Sequence, residues 1–288
     1  MSSKSLVVTG ATGQLGRLVI ESLLEKGVPA DQVVATARDT SRLDDLAARG
    51  VQVRHADYSD PASLKEAFAG ADRVLLVSSS EVGQRLAQHQ NVIDAAKDAG
   101  VDLLAYTSIA NGDRSGLALA AEHVATEQAI AGSGLAHTFL RNSWYLENYT
   151  GQLPTYLEHG VVLGAAGEGR VSAASRADFA EAAAAVLLTE EPKQVYELGG
   201  AAFTLPELAA TVTEVTGKEV SYNDLPADAL TEVLVGAGLP EQYAAILADA
   251  DQGLGRGELY VETTDLEALL GRPATTLTEA LTEALRAA

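Results

Sequence analysis

The order of short apolar segments and helical segments in the first half of the chain limits the fold more than any other sequence feature. Strand-like segments alternate there with segments of helical periodicity. The strand-like segments are Leu6–Thr9, Gln32–Ala37, Val51–His55, Arg73–Ser78, Val101–Thr107 and Ala136–Leu140. Strands alternating with helices of this length imply right-handed crossovers, so the strands lie parallel and helices cover both faces. The predicted fold is an α/β doubly wound parallel sheet.

The alternation becomes irregular from about Trp144 onward. Further strand-like and helical segments follow at Val161–Leu163, Arg176–Thr189, Val195–Leu198, Leu205–Thr216 and Glu219–Tyr222. We expect residues 1–143 to form the main domain, with a returning segment near residues 175–192. Residues 144–288 are expected to form a smaller C-terminal α/β lobe that binds the substrate.

A glycine-rich turn joins the first predicted strand to the first predicted helix: Gly10-Ala11-Thr12-Gly13-Gln14-Leu15-Gly16. In such a turn Gly10 permits the tight bend, Gly13 lets backbone N–H groups approach a pyrophosphate, and Gly16 lets the helix pack closely. The helix N-terminus adds unpaired donors and partial positive charge. The spacing differs from the Gly-x-Gly-x-x-Gly of many dehydrogenases, and a purely structural turn is the alternative. At this junction of an alternating chain, the pattern predicts a dinucleotide-binding, Rossmann-type domain.

The end of the second predicted strand indicates which dinucleotide is bound. An acidic residue here usually holds the ribose 2′-hydroxyl, whereas an arginine accommodates a 2′-phosphate. Arg38 comes first in this sequence and Asp39 follows it. Arg38 is expected to bind the phosphate bidentately, which favours NADPH over NADH. The alternatives are that Arg38 is a solvated surface residue and that Asp39 caps the next helix.

Polar residues also follow the third and fourth predicted strands. Asp57 and Tyr58 are placed to flank an adenine, although Asp57 could equally cap the turn before Pro61. Ser78, Ser79 and Ser80 follow the strand expected to lie beside the first one. In a doubly wound sheet, the carboxyl ends of these strands point at the cofactor. We therefore place these residues in the cofactor site.

Composition excludes several classes of function. The formal net charge is −20, which disfavours nucleic acid and anionic lipid surfaces as partners. The chain has no cysteine, so disulfides, thiolate catalysis and cysteine-ligated metals are excluded. There is no apolar run of the ~20 residues that a membrane span requires, and no secretory leader pattern, so we expect a cytoplasmic protein. His123 and Glu127 lie one helical turn apart, but two ligands without a third predict no metal site.

Several segments together resemble the NmrA-like, atypical short-chain dehydrogenases/reductases. The segments are GATGQLG, QVVATARD, VRHADYSDPASL, VSSSEVGQR, AAKDAGV, LLAYTS, EHVATE, FLRNSWYLENY and VYELGG. Within that family the chain is most similar to the bacterial NADPH:quinone oxidoreductase branch, sister to the triphenylmethane dye reductases. The resemblance implies an NADPH-dependent two-electron reduction of quinones. It also places the loop from Asn142 to Glu147 against the nicotinamide.

The usual catalytic pair of the wider superfamily, Tyr-x-x-x-Lys, is missing. No lysine occurs between Lys97 and Lys193, and His123 and Leu119 fall at the lysine and tyrosine positions. A ketone needs its oxygen protonated as charge develops. A quinone is already electron-poor and its reduced anion is aromatic, whereas a triphenylmethane dye is a cation. The missing pair therefore argues against alcohol and ketone chemistry.

The predicted catalytic residues are His123, which would hold the ribose or relay a proton, and Tyr145. The alternative for His123 is a half-buried histidine with one structural hydrogen bond. The predicted cofactor-binding residues are Gly10, Ala11, Thr12, Gly13, Gln14, Leu15, Gly16, Arg38, Asp57, Ser78, Ser79, Ser80, Thr107, Asn142, Ser143, Trp144, Tyr145 and Glu147. Trp144 could form the wall of an aromatic substrate pocket, but for this residue alone packing between the lobes is the favoured alternative. Gly164 to Gly169 is expected to be a flexible loop over the substrate.

Three functions stay open from the sequence. The first is the quinone reductase, and the second is a triphenylmethane dye reductase. The third is a non-catalytic NADP(H) sensor that regulates a partner. We expect a small electron-poor aromatic substrate, no nucleic-acid or membrane partner, and we consider a homodimer.

Overall fold

The computed structural model describes residues 4–262 and 264–287. Its strands are β1 Leu6–Val8, β2 Val33–Ala37, β3 Gln52–His55, β4 Arg73–Leu76, β5 Leu103–Ile109, β6 His137–Asn142, β7 Val161–Gly164, β8 Arg170–Val171, β9 Val195–Leu198, β10 Phe203–Thr204 and β11 Ser221–Asp224. Its α-helices are α1 Gln14–Glu25, α2 Asp44–Ala48, α3 Pro61–Ala67, α4 Arg85–Ala99, α5 Ala118–Gly132, α6 Glu147–Thr150, α7 Leu153–His159, α8 Arg176–Leu188, α9 Leu205–Thr216, α10 Ala227–Gly236, α11 Glu241–Gly255, α12 Asp265–Leu270 and α13 Leu277–Ala287.

Seven strands form one parallel sheet in the order β3-β2-β1-β4-β5-β6-β9. The chain builds outward from β1 to β3, then returns to β4 on the other side of β1. The strand order thus reverses between β1 and β4, and the two crossovers leave a crevice at their carboxyl ends. The predicted doubly wound parallel sheet is confirmed.

The sheet is covered by helices on both faces because its central strands are apolar on both sides. β1 and β5 are buried along their whole length, as parallel strands between two helical layers are. On one face, α1 and α8 pack together over the sheet through Val19, Ile20 and Phe179. On the other face, α3, α4 and α5 supply a second apolar layer. This arrangement fixes the start of α1 at the crevice.

The chain re-enters the main sheet after leaving it. Helix α8 packs beside α1, and β9 pairs with β6 in parallel. The returning segment therefore reaches residue 198, beyond the predicted limit near 192, because β9 completes the sheet edge. The sheet draws on residues from both sides of 143/144, and the division into two domains there stays a prediction.

The rest of the C-terminal half forms a smaller α/β assembly with its own apolar core. β7 pairs with β11 in parallel, and β8 pairs with β10 antiparallel. Tyr149, Tyr156, Phe203 and Leu208 are buried in this core. In the described part of the chain, no helix is both long enough and apolar enough to cross a bilayer.

Candidate active site

The glycine turn presents backbone donors at the crevice. Gly10 has φ +60°, a conformation that favours glycine, and its carbonyl accepts from the Gly13 N–H at 2.9 Å. Helix α1 then begins at Gln14 with the exposed Gly13 as its N-cap, so no side chain caps it, and its first turn has no acidic residue. A Cβ on Gly16 would lie 2.5 Å from the Gly10 carbonyl oxygen, so only glycine lets the helix approach β1 this closely. The helix start is open to an anion.

Two clefts meet at this turn. The larger, about 1100 Å³, runs between α1, the α6–α7 segment and α13. The smaller, about 660 Å³, follows the carboxyl ends of the central strands, and we call it the cofactor cleft. Both clefts are lined by Thr12, Gly13, Gln14 and Arg176.

Most of the predicted cofactor residues line the cofactor cleft. They are Gly10, Thr12, Gly13, Gln14, Leu15, Gly16, Arg38, Asp57, Ser78, Ser79, Ser80 and Tyr145. The other predicted residues lie outside its lining: Ala11, Thr107, His123, Asn142, Ser143, Trp144 and Glu147. Ala11 is fully buried and donates its N–H to the Thr36 carbonyl at 3.0 Å.

Arg38 lies at the mouth of the cofactor cleft, where a 2′-phosphate was expected. Its side chain is 69% exposed and pairs with Glu81 at 3.0 Å. A pair this exposed contributes little, so the guanidinium can turn to a phosphate at small cost. Asp39 caps the following short helical turn by accepting from the Ser41 N–H at 3.1 Å. This is the capping role weighed as the alternative for Asp39.

Asp57 and Tyr58 line the cleft but are committed to local contacts. Asp57 accepts from the Ser59 N–H at 2.8 Å, which is a turn cap. The Tyr58 hydroxyl points inward, 2.5 Å from Thr9 Oγ1, and donates to the Val77 carbonyl at 2.8 Å. Burial raises the pKa of this phenol. Tyr58 therefore links the residues that follow β1 and β4.

The serine loop after β4 forms the wall opposite the glycine turn, and buried side chains hold it. The Ser78 N–H donates to Thr107 Oγ1 at 2.8 Å, which gives Thr107 a supporting place behind the wall. The Ser79 N–H donates to His89 Nε2 at 3.0 Å, and Ser79 Oγ donates to Gln88 Oε1 at 2.5 Å. His89 and Gln88 both come from α4, so this helix fixes the loop.

His89 is held as a neutral ring. Its Nε2 accepts from Ser79, and its Nδ1 lies 3.0 Å from Thr126 Oγ1. Because the Thr126 hydroxyl donates to the Glu122 carbonyl at 2.8 Å, it accepts from His89, which places the proton on Nδ1. Burial, with nearby Arg85, lowers the pKa of His89 to about 3.

His123, a predicted catalytic residue, is buried behind that wall. Its Nδ1 lies 2.7 Å from the Tyr106 hydroxyl, and the residue is 8% exposed. Burial, followed by the charge of Arg85 and by His89, holds the pKa of His123 well below its ordinary value. This geometry favours a neutral supporting histidine, and a catalytic role for His123 stays a prediction.

The segment after β6 divides among several tasks. Asn142 is buried, and its Oδ1 has no hydrogen-bond partner among the described residues. Ser143 Oγ donates to the Leu259 carbonyl at 2.7 Å, which ties the segment to the C-terminal half. Trp144 packs against the core of the smaller assembly, which agrees with the packing role given as its alternative. An orphaned acceptor at the end of a central strand is suited to an amide or hydroxyl donor.

Tyr145 and Glu147 both contact the start of α8. The Tyr145 ring packs edge-on against Phe179, with the Arg176 guanidinium 4.5 Å from its centroid. The two carboxylate oxygens of Glu147 accept from the Arg176 N–H at 2.9 and 3.1 Å. Burial raises the pKa of the Tyr145 phenol, so it is a weaker acid than a free tyrosine. Its catalytic role stays a prediction.

The expectation of a flexible loop at Gly164–Gly169 is wrong. The N–H of Ala165 donates to Asp251 at 3.0 Å, and that of Gly167 donates to Asp224 at 2.8 Å. A Cβ on Gly169 would clash with the Leu254 carbonyl, so Gly169 allows close packing against α11. The stretch lines neither cleft.

The cleft residues that were not predicted from the sequence include Arg85, Gln88 and Arg176. Arg85 is buried, donates to the Ser79 carbonyl at 2.7 Å and lies 3.7 Å from Glu122. The sequence signal for Arg176 was its place as the first residue of the predicted helix Arg176–Thr189. In residues 4–262 and 264–287, no group of three acidic or histidine side chains is arranged to hold a metal ion.

The whole chain matches one protein family. The NmrA-like family matches residues 2–282. The chain belongs to the NmrA-like family. Quinone oxidoreductase 2 of Escherichia coli (strain K12) is 50% identical over 278 residues, which cover 96% of this chain and 97% of that protein. This NmrA-like chain is therefore similar to that relative over nearly the whole length of both.

Solved structures of the same family share the fold closely. The Escherichia coli NADPH-dependent quinone oxidoreductase complexed with NADPH matches with a TM-score of 0.95 and 49% identity, over 97% of this chain and 99% of that one. The Citrobacter sp. triphenylmethane reductase complexed with NADP(H) matches with a TM-score of 0.93 and 40% identity, over 97% and 100%. Both similar structures were solved with the same kind of nucleotide.

Proposed function

We propose that this protein is an NADPH-dependent oxidoreductase that reduces quinones. The observation that carries the proposal is the open start of α1 at Gly13, in a chain half identical to a quinone oxidoreductase along its full length. The open start of α1 offers a site for a diphosphate, and the similarity to the quinone oxidoreductase supplies the reaction class. The predicted function and cofactor agree with it.

The residues of the cofactor cleft fit a dinucleotide from end to end. Gly13 and the first turn of α1 offer backbone donors to the diphosphate. Arg38 lies at the end where the 2′-phosphate belongs, and it carries the preference for NADPH. Behind the lining at the other end, Asn142 Oδ1 is buried without a hydrogen-bond partner among the described residues, in the loop that the resemblance places against the nicotinamide. NADPH supplies a hydride when it is bound.

The protein's part in the reaction is to place and enclose the reactants rather than to protonate them. His89 and His123 are held neutral behind the serine wall, and Tyr145 is a weakened acid. A quinone that receives a hydride becomes an aromatic hydroquinone anion, which takes its proton from water. Positioning therefore replaces the missing acid.

The larger cleft is suited to the quinone because much of its lining is apolar. Leu18 of α1, Leu153, Pro154 and Leu157 of the α6–α7 segment, and Leu285 of α13 line it. It borders the cofactor cleft at Thr12–Gln14, and it is also lined by Glu147, from the loop that the resemblance places against the nicotinamide. An apolar aromatic acceptor gains by leaving water for such a cleft.

Reduction of a cationic triphenylmethane dye is the second candidate function. The 40% identity with the Citrobacter sp. reductase along both whole chains favours it. A dye cation becomes neutral when it accepts a hydride, so this reaction also needs no acid. Cytoplasmic location and a homodimer are further parts of the proposal, as is the absence of a nucleic-acid partner.

The experiment is an acceptor panel with the purified protein. NADPH and NADH are each combined with a benzoquinone, a naphthoquinone and a cationic triphenylmethane dye, and the oxidation of the nicotinamide is followed. We expect kcat/KM to be highest for NADPH with a quinone. Faster bleaching of the dye would replace the quinone reductase by the second candidate. NADPH binding without turnover of any acceptor would indicate the sensor.

A further inference from the structure

Arg176 is a half-buried cation without an anionic partner. Its guanidinium makes no hydrogen bond or ion pair with any residue the structure describes, although the chain holds forty acidic residues against twenty basic ones. The other arginines of the cofactor cleft are engaged: Arg38 pairs with Glu81, and Arg85 donates to the Ser79 carbonyl. An unpaired charge of this kind costs free energy unless a ligand pairs with it.

The start of α8 holds this side chain in place. Glu147 accepts from the Arg176 N–H with both carboxylate oxygens, and Ser175 caps the helix by accepting from the Asp178 N–H at 3.0 Å. The Tyr145 ring lies under the guanidinium, 4.5 Å from it, within the range of a cation–π contact. Backbone and side chain are thus fixed before any ligand arrives.

Arg176 lies where the two clefts meet. It lines both of them together with Thr12, Gly13 and Gln14, which open α1. The glycine turn belongs to α1 and Arg176 to α8, and these helices pack side by side over the sheet. An anion at the helix start therefore has the guanidinium within the same opening.

We propose that Arg176 binds the diphosphate of NADPH from the side opposite the glycine turn, with Tyr145 and Glu147 as its positioning residues. The proposal rests on the proposed function. The diphosphate carries two full charges, and the turn answers them only with backbone dipoles. A guanidinium adds two parallel N–H donors in the geometry that phosphate oxygens accept. A neutral quinone offers no comparable charge.

This assignment gives the loop after β6 a different task from the one predicted. Tyr145 and Glu147 act on the cofactor through Arg176. Replacement of the Tyr145 ring should therefore impair diphosphate binding more than loss of its hydroxyl alone. Tyr145→Phe keeps the ring beneath the guanidinium, and Tyr145→Leu removes it.

The test compares three ligands by calorimetry: NADP⁺, 2′-phospho-ADP-ribose, which has the diphosphate but no nicotinamide, and adenosine 2′-monophosphate, which has neither. Arg176→Gln should weaken the first two by roughly ten- to a hundredfold and change the third by less than about twofold. The matched control Arg38→Gln should weaken all three. Tyr145→Leu should follow Arg176→Gln with a smaller loss, and Tyr145→Phe, which keeps the ring, should lose clearly less affinity than Tyr145→Leu.

Three results would overturn the assignment. Unchanged NADP⁺ affinity in Arg176→Gln would show that the guanidinium does not contact the cofactor. Loss for NADP⁺ but not for 2′-phospho-ADP-ribose would place it at the nicotinamide or the substrate. Equal loss for adenosine 2′-monophosphate would show a general disturbance of the cleft. If Arg176→Gln does not fold, Arg176→Lys replaces it in the test. This variant keeps the positive charge but lacks the two parallel N–H donors, so it should show the same pattern among the three ligands with a smaller loss. A wild-type protein that binds none of the ligands would refute the proposed function itself.

Discussion

The two walls of the cofactor cleft are built in different ways. The wall at Gly10–Gly16 presents backbone groups, and its shape requires glycines that have no side chain. The wall at Ser78–Ser80 is held from behind by the side chains of Thr107, Gln88 and His89. The first wall is therefore sensitive to atoms that are added, and the second to partners that are removed.

The largest effect is expected at the first wall. Gly13→Val should abolish measurable NADPH binding, because its branched side chain would occupy the space where a diphosphate meets the backbone. The protein should still fold, since Gly13 has φ −81° and a Cβ there would lie 3.2 Å from the Gly10 carbonyl oxygen. Calorimetry and thermal melting together check this. NADPH binding by a folded Gly13→Val protein would contradict the cofactor site.

Gly16→Ala is the matched control on the same turn. Its Cβ would meet the Gly10 carbonyl oxygen at 2.5 Å, so the helix must move away from β1. Overpacking of this kind costs about 1–3 kcal/mol. The melting temperature should fall clearly in Gly16→Ala, whereas Gly13→Ala should lose less stability than Gly16→Ala. Equal melting temperatures would show that the turn is looser than described.

A smaller effect is expected at the cleft mouth, where a side chain supplies the contact. Arg38→Ala should weaken NADPH by roughly ten- to a hundredfold, the range for a lost charge-assisted bidentate contact. NADH has no 2′-phosphate, so its affinity should change much less. Dissociation constants for both nucleotides check this. Equal losses for NADPH and NADH would refute the assignment of Arg38.

The contribution of the second wall should be visible in the pH dependence of the free energy of unfolding. The pKa of His89 is lowered from 6.5 to about 3 in the folded protein, so the unfolded chain binds the proton more readily. Stability is thus fully present above about pH 6.5 and is lost as pH falls toward 3, by about 1.4 kcal/mol per pH unit from this residue. His89→Gln should show a shallower loss of unfolding free energy on acidification, measured by denaturant titration at several pH values. If the free energy of unfolding had the same pH dependence in both proteins, His89 would not be held neutral in the folded state.

The smallest effect is expected from His123. His123→Ala should lower kcat for a benzoquinone tenfold or less, because the buried neutral ring contacts Tyr106 and lies outside the cleft lining. Any loss should appear mainly in NADPH affinity. General acid catalysis contributes roughly 10²–10⁴-fold, so the two roles are separable by kcat at saturating NADPH. A thousandfold fall in kcat with unchanged NADPH affinity would make His123 the proton donor.

The contrast between the walls also explains what the sequence could reveal. Gly10, Gly13 and Gly16 lie within seven residues at a regular spacing, so the turn between β1 and α1 was predicted in the right place. The doubly wound parallel sheet followed from the alternation of strands and helices. Arg38 could be placed because the end of β2 has a fixed relation to the turn.

The supporting residues could not be found in this way. His89, Thr107 and Thr126 come from three elements and meet only when α4, β5 and α5 are packed. Arg176 reaches the cleft because the chain returns to the sheet through α8. The periodicity of the sequence predicts this helix but does not say where it packs. The Gly164–Gly169 stretch was read as flexible from composition, yet Asp224 and Asp251 hold it from distant helices and strands.

The most direct test of the account is a single-turnover experiment in the absence of oxygen. Wild-type protein saturated with NADPH is mixed with a limiting amount of a benzoquinone, and loss of the reduced nicotinamide absorbance is followed together with formation of hydroquinone. We expect one NADPH to be oxidised for each quinone reduced, well above the uncatalysed rate, with Gly13→Val no faster than buffer. No acceleration over buffer by a wild-type protein that binds NADPH would contradict the assignment as a quinone reductase.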